Sequence, residues 1–249
     1  MLSSVGWAAL GVGFIFLMTS LGAASVLFCR KDTLPKSQTG MMGFAGGVMT
    51  AATVWSMLLP AIEQTRAEGI FPCWLPAAAG TAAGAAFLCA LDALILRLRR
   101  GGSAEKSSML MTAITLHNIP EGMAVGLAFA LSGGTDGLTA AAALALGIGV
   151  QNIPEGAAVS LPLRRMGMSR GRAFSMGMLS GAVEPLFGML TVMAVSGISR
   201  IMPWLLGFSA GAMLYVVVCE LIPAADDRRG LFWYVAGFLL MMILDVALG

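Results

Sequence analysis

The sequence predicts an all-α polytopic membrane protein: eight transmembrane helices in an inverted-repeat bundle, with both termini extracytoplasmic. Three observations predict it. The 249-residue chain is 58% hydrophobic and only 11% charged, with a mean hydropathy of +0.86, more apolar than a soluble domain of that length needs. Its apolar runs fit eight spans of about 20 residues joined by short loops. Its basic residues fall on alternate loops, which is what orients such spans.

Span 1 covers residues 5–28. No basic stretch precedes it and Arg30-Lys31 follow it, so it reads as a retained span, not a cleaved signal peptide. Span 2 covers 40–62, span 3 73–96, span 4 108–131 and span 5 138–161. Span 6 covers 172–196, span 7 201–222 and span 8 231–248. The whole chain is one eight-span domain, with no room for a second.

The loops orient these spans. Arg30, Lys31 and Lys36 lie between spans 1 and 2, and Arg97, Arg99, Arg100 and Lys106 between spans 3 and 4. Arg164, Arg165, Arg170 and Arg172 fall at the loop between spans 5 and 6, and Arg228 and Arg229 between 7 and 8. Thirteen of the fifteen basic residues thus share one side, and only Arg66 and Arg200 fall on the other. The positive-inside rule puts that side in the cytoplasm and both termini outside. Cys29, Cys73, Cys89 and Cys219 form no C-x-x-C pair and read as ordinary membrane-helix residues.

Two internal repeats organise the chain. His117-Asn118-Ile119-Pro120-Glu121-Gly122 in span 4 returns 34 positions later as Gln151-Asn152-Ile153-Pro154-Glu155-Gly156 in span 5. Span 2 contains Gly43-Phe44-Ala45-Gly46-Gly47-Val48-Met49 and ends Leu58-Leu59-Pro60-Ala61. Span 7 contains Gly207-Phe208-Ser209-Ala210-Gly211-Ala212-Met213 and ends Leu221-Ile222-Pro223-Ala224. In each case the two copies run in opposite directions across the membrane. Similar segments so opposed are the sign of an inverted-repeat transporter with a midplane site on broken helices.

The paired motif carries the chemistry. His117 and Glu121, like Gln151 and Glu155, are spaced four apart and lie on one helix face. Pro120 and Pro154 free the carbonyls of Leu116 and Val150, so both helices are expected to kink or open at membrane depth. Asp92, Glu121, Glu155, Glu184, Glu220 and Asp245 fall inside or at the ends of spans, with no basic residue deep in any span to pair with them. Such a carboxylate must hold a proton or meet a cation. Glu121, Glu155 and Glu184 are the deepest. With one imidazole, several amide oxygens and a thioether they make a donor set for a divalent metal.

Each residue also has a plain structural reading. His117 could hydrogen-bond a neighbouring helix, and Asn118 and Asn152 could hold helices together. Glu184, beside Pro185, could be structural. Met49 is one of 19 methionines and by pattern alone a packing residue. Asp92 and Glu220 sit near inner span ends and could simply reach water; Asp245 reads as an interfacial residue at the outer end.

The motif pair in the fourth and fifth of eight spans resembles the ZIP family of divalent metal transporters. The stretch Gly147-Ile148-Gly149-Val150-Gln151-Asn152-Ile153-Pro154-Glu155-Gly156 resembles its prokaryotic GufA-like branch. The resemblance implies a binuclear metal centre midway across the membrane. One site would use His117, Glu121, Gln151 and Glu155 with Met49. The other would use Asn118, Glu121, Asn152, Glu155 and Glu184, the two shared glutamates bridging. It places Ser56 toward the outer entrance and Glu220 toward the cytoplasmic exit, and implies a homodimer by analogy. The chain departs from the family in three places: Gln151 stands where many members have His, Cys219 precedes Glu220 where some have His, and no His-rich cytoplasmic loop is present.

The expected function is uptake of a divalent metal into the cytoplasm, Zn²⁺ foremost, with Fe²⁺, Mn²⁺ and Cd²⁺ open because Gln151 is neutral. The ion is cargo, not a cofactor, and would leave past Glu220 and Asp92. A core bundle holding spans 4 and 5 would alternate access against a scaffold. No G-x-x-x-x-G-K-[ST] loop is present, so no direct use of ATP is expected; nor is a nucleic-acid partner. The expected location is a prokaryotic inner membrane. Two other classes remain: an intramembrane metal-dependent hydrolase, against which stand the single His and the lack of H-E-x-x-H, and a proton-coupled carrier of an organic substrate.

Overall fold

The computed structural model describes residues 3–28, 34–98, 103–132 and 134–248. Within these, the side chains of 34–38, 95–98, 103–114, His117, 134, 136, 196, 197, 199 and 248 lie outside the described set. Every element among the described residues is helical: α1 (Ser4–Phe28), α2 (Leu34–Ala52), α3 (Leu59–Ala67), α4 (Leu75–Leu98), α5 (Ser103–Leu131) and α6 (Gly134–Arg165). Then come α7 (Arg170–Gly181), α8 (Val183–Met193), α9 (Val195–Val216), α10 (Ile222–Ala224) and α11 (Arg228–Leu248). Wider π-helical segments, Thr53–Leu58 and Val217–Leu221, join α2 to α3 and α9 to α10.

Seven helical stretches are long and apolar enough to cross a membrane: Ser4–Phe28, Thr39–Ala67, Leu75–Leu94, Gly137–Arg165, Arg170–Met193, Arg200–Ala224 and Arg228–Ala247. Helix α5 has 29 residues, and its described apolar part is Asn118–Leu131. The surface is that of a lipid-facing bundle. Leu17, Leu21, Phe87, Leu186, Phe232 and Ile243 are exposed while Asn118, Glu121, Asn152 and Glu184 are buried, the reverse of a water-soluble arrangement.

Close backbone approaches sort the helices into pairs running in the same direction. Gly122 and Gly126 of α5 meet Glu184 and Gly188 of α8 in order, and Gly80 and Gly84 of α4 meet the 204–212 stretch of α9. Likewise α1 lies along α6, and α2 along α11. Helices α1, α5, α6 and α8 share a core of their own, built on Val12, Ile15, Val125, Phe129 and Ile148. A larger core centres on α2, α4 and α9 and reaches the second half of α6.

The helix breaks fall at prolines other than those of the paired motif. α5 and α6 stay helical through Pro120 and Pro154; of the expected kink or opening, the opening does not occur, because one missing N–H in a well-packed helix does not force a break. The span expected over 172–196 is Arg170–Met193, built of two helices meeting at Ala182, whose N–H bonds Leu179 at 3.2 Å. Pro185 leaves the Gly181 carbonyl without its helical donor, and the chain turns there. The π-helical segments precede Pro60 and Pro223 in the same way. Leu59 donates to Val54 and Ile222 to Val217, five residues back. The two GF-x-x-G-x-M segments therefore share a local ending. Helices α3 and α6 close on Gly69 (φ 73°) and Gly167 (φ 100°). Each supplies the left-handed turn of a Schellman cap, with Ile70 donating to Thr65 and Met168 to Leu163 at 3.2 Å.

Candidate metal centre

Four helices bring the paired motif and Glu184 to one level. A Cβ at Gly122 would lie 2.6 Å from Glu184 Cα; without it, α5 and α8 touch backbone to backbone. This sets Glu121, one residue earlier, beside Glu184 in the first turn of α8. Gly156 of α6 does the same against α1, where a Cβ would lie 2.8 Å from the Ala23 nitrogen. Glu155 is thereby fixed at the α1 side.

The result is a buried cluster of carboxylates and amides. Asn118, Glu121, Asn152 and Glu184 expose no surface, and Gln151 and Glu155 expose 1%. Glu155 lies within electrostatic reach of Glu121 and Glu184, and Glu184 of Glu121. No Lys or Arg is buried among the described residues.

The hydrogen bonds have one sense throughout. Gln151 Nε2 donates to Glu121 Oε1 at 2.6 Å, and Asn118 Nδ2 to Glu184 Oε1 at 3.0 Å and to the Ser180 carbonyl at 3.3 Å. Asn152 Nδ2 points to the Ile15 carbonyl at 3.5 Å. Thr19 Oγ1 donates to Glu184 Oε1 at 2.9 Å. Each amide spends its N–H₂ group on a neighbour and keeps its oxygen. Asn118 Oδ1, Glu121 Oε2, Gln151 Oε1, Asn152 Oδ1 and Glu184 Oε2 are buried with no hydrogen-bond partner among the described residues. All five are acceptors. A buried acceptor without a donor costs free energy, and five together form a pocket of lone pairs suited to a cation. No group of three or more His, Cys, Asp or Glu side chains among the described residues is arranged to hold a metal by itself. The donor set is mixed carboxylate and amide oxygen, the hard, weaker kind.

The other expected site residues spread over the fold. His117 belongs to α5, but its side chain is outside the described set. Met49 is buried in the larger core, with Leu116 and Met123 of α5 and Ala157 of α6. Ser56, on the first π-helical segment, donates to Asp245 Oδ1 at 2.9 Å. The two line a cavity of about 410 Å³ between the α2–α3 region, α6 and α11, with Glu63 at its edge. Asp245 is thus a bonded cavity residue and not merely interfacial. Asp92 accepts from Tyr215 of α9 at 3.0 Å, apart from the glutamate cluster. Glu220 is half-buried on the second π-helical segment. Cys73, Cys89 and Cys219 are free thiols; Cys29 lies outside the described residues.

Sequence reasoning missed the contribution of α1 and α7: the Thr19 hydroxyl and the Ile15 and Ser180 carbonyls. The one available signal was Thr19-Ser20, a polar pair in the middle of an otherwise apolar span.

The chain is similar to proteins described as zinc transporters. The profile of the family described as "ZIP Zinc transporter" matches residues 99–245. The chain is 38% identical to the "Zinc transporter GufA" of Myxococcus xanthus over 93% of this chain and 94% of that protein. It is 34% identical to the "Zinc transporter ZIP11" of Homo sapiens over 99% and 98% of the two chains. It is 36% identical to the "Zinc transporter ZIPB" of Bordetella bronchiseptica over 98% and 82%.

Proposed function

Because the chain belongs to the ZIP family of zinc transporters, in its GufA-like branch, we propose that it carries divalent metal cations, Zn²⁺ foremost, across the membrane into the cytoplasm. The observation that carries this reading is the set of five buried acceptor oxygens, on α5, α6 and α8, with no donor to meet them among the described residues. A divalent cation supplies what they lack. The cation is the substrate of transport.

The finer reading takes α5 as a further span, which makes eight, with both termini extracytoplasmic and the basic loops in the cytoplasm. Two ions share the centre. His117, Glu121, Gln151 and Glu155 hold one with Met49; Asn118, Glu121, Asn152, Glu155 and Glu184 hold the other. Neutral amide oxygens in place of thiolates keep the affinity low enough for release. The bundle of α1, α5, α6 and α8, which has its own core, is the unit that moves against the rest. Ser56 lies on the way in, Glu220 and Asp92 on the way out. The membrane is a prokaryotic inner membrane, the assembly a homodimer, and the driving force the ion's own gradient and the potential, without ATP.

Uptake of radiolabelled zinc into proteoliposomes tests this, with wild type set against Glu155→Ala and His117→Ala and with Fe²⁺, Mn²⁺ and Cd²⁺ as competitors. Saturable uptake that both substitutions abolish is the expected result. Folded wild-type protein that moves no metal would overturn the transport reading. Uptake that survives Glu155→Ala would leave transport standing and remove this centre from its path.

A further inference from the structure

Helix α1 carries no residue of the proposed ligand set, yet it reaches the centre through one side chain. Thr19 is fully buried, and its single hydroxyl proton faces two acceptors: the Ile15 carbonyl one turn back at 3.2 Å and Glu184 Oε1 at 2.9 Å. The shorter bond goes to the carboxylate, the stronger acceptor. Asn118 Nδ2 donates to the same oxygen at 3.0 Å. Thr19 and Asn118 thus both donate to Glu184 Oε1, and the Asn152 amide also reaches this carboxylate, while Glu184 Oε2 has no hydrogen-bond partner among the described residues. The carboxylate is asymmetric before any cation arrives.

The surroundings hold Thr19 in this role. A Cβ at Gly181 would lie 2.7 Å from Thr19 Cγ2 and 3.1 Å from Glu184 Oε1. The threonine methyl thus rests on the bare backbone of α7 and turns the hydroxyl toward α8. On the other flank, a Cβ at Gly156 would meet the Thr19 carbonyl.

We propose that Thr19 is a positioning residue of the metal centre: its hydroxyl clamps one oxygen of Glu184, so that only the other oxygen is offered to the cation. The proposal rests on the reading of Glu184 as a metal ligand. One-oxygen coordination suits a small ion of low coordination number such as Zn²⁺. The same clamp ties α1 to α8 through the centre. Outer-shell hydrogen bonds of this kind orient metal ligands, and losing one typically weakens affinity about tenfold or more.

The test uses the full chain in proteoliposomes and reads initial zinc uptake against zinc concentration for Thr19→Val, Thr19→Ala, Thr19→Ser and Glu184→Ala. Removing the hydroxyl, by Val or Ala, is expected to raise the apparent KM for zinc about tenfold and to change the maximal rate much less. Thr19→Ser keeps the hydroxyl and is expected to restore the wild-type KM. If Thr19→Val is not recovered as folded protein, Thr19→Ala, which adds no atoms, gives the reading. A KM unchanged in the hydroxyl-free variants overturns the proposal. So does Thr19→Ser failing as badly as Val or Ala, because the methyl and its packing would then be what matters. Wild-type uptake by Glu184→Ala would instead overturn the reading of the centre beneath it.

Discussion

Gln151 donates its amide to Glu121 at 2.6 Å across the contact between α5 and α6. The first position of one motif copy thus braces the fifth position of the other. Spacing alone sets Gln151 above Glu155 on its own helix; the bond that forms is between helices. It orients both partners. Glu121 Oε1 is spent on the amide, and Glu121 Oε2 and Gln151 Oε1 are left as acceptors.

Replacing that amide by an imidazole should change which metal is preferred. Gln151→His exchanges an oxygen donor for nitrogen, which later and softer divalent metals favour over Mn²⁺. Competition of Mn²⁺ against radiolabelled zinc is expected to weaken about tenfold in the variant, an order-of-magnitude figure for a change at the ligand shell. Equal competition in both proteins would show that Gln151 Oε1 is not a ligand.

How much of this was legible in the sequence depends on how local each feature is. The predicted 5–28 span is α1, Ser4–Phe28, because a lone apolar run bounded by charge needs only hydropathy to be seen. The paired motif was visible for a similar reason: buried carboxylates are conspicuous where every neighbour is apolar. The break at Ala182 was not, since a proline in an apolar run announces a lost hydrogen bond and not how packing resolves it. Pro120 and Pro154 stay inside their helices, whereas Pro185 follows a break. Thr19 was not visible either, because nothing in its own span says that Glu184, 165 residues away, is the acceptor.

The α5–α8 contact should be unforgiving packing. A Cβ at Gly122 would meet the backbone of Glu184, which cannot swing aside as a side chain can. Gly122→Ala is expected to destabilise the fold by about 1–3 kcal/mol, as overpacking does, and to lose zinc uptake with it. Gly13 of α1 has open space around its Cβ position. Gly13→Ala is therefore expected to be neutral or slightly stabilising, since alanine favours helix by about 0.5–1 kcal/mol over glycine. Thermal unfolding followed by monodisperse size-exclusion recovery checks both. A Gly122→Ala protein as stable and active as wild type would mean that α5 and α8 can separate without harm.

The cavity beside Ser56 should govern how the ion arrives. Asp245 and Ser56 share a hydrogen bond at 2.9 Å at its wall, and Glu63 stands at its edge. With the cavity as the outer approach, Asp245→Asn and Ser56→Ala are expected to raise the KM for zinc severalfold and leave the maximal rate within about twofold. The Asp245 effect should shrink as salt rises from about 0.01 to 0.15 M, where screening shortens from about 30 to 8 Å. A fall in maximal rate at unchanged KM would instead assign these residues to the conformational step.

The charge of the cargo gives the last expectation. A divalent ion crossing with nothing in exchange gains about 2.3 kcal/mol per charge for each 100 mV, inside negative. That is about 4.6 kcal/mol for both charges, or roughly three orders of magnitude in accumulation. An inside-negative potassium diffusion potential set with valinomycin should therefore speed zinc uptake and raise its plateau. The three buried glutamates supply the alternative. Intramembrane carboxylates can carry protons as well as cations. If those protons are carried outward on the return step, metal and proton charges cancel. Uptake would then ignore the imposed potential and raise the internal pH, and a pH dye trapped in the same vesicles distinguishes the two cycles.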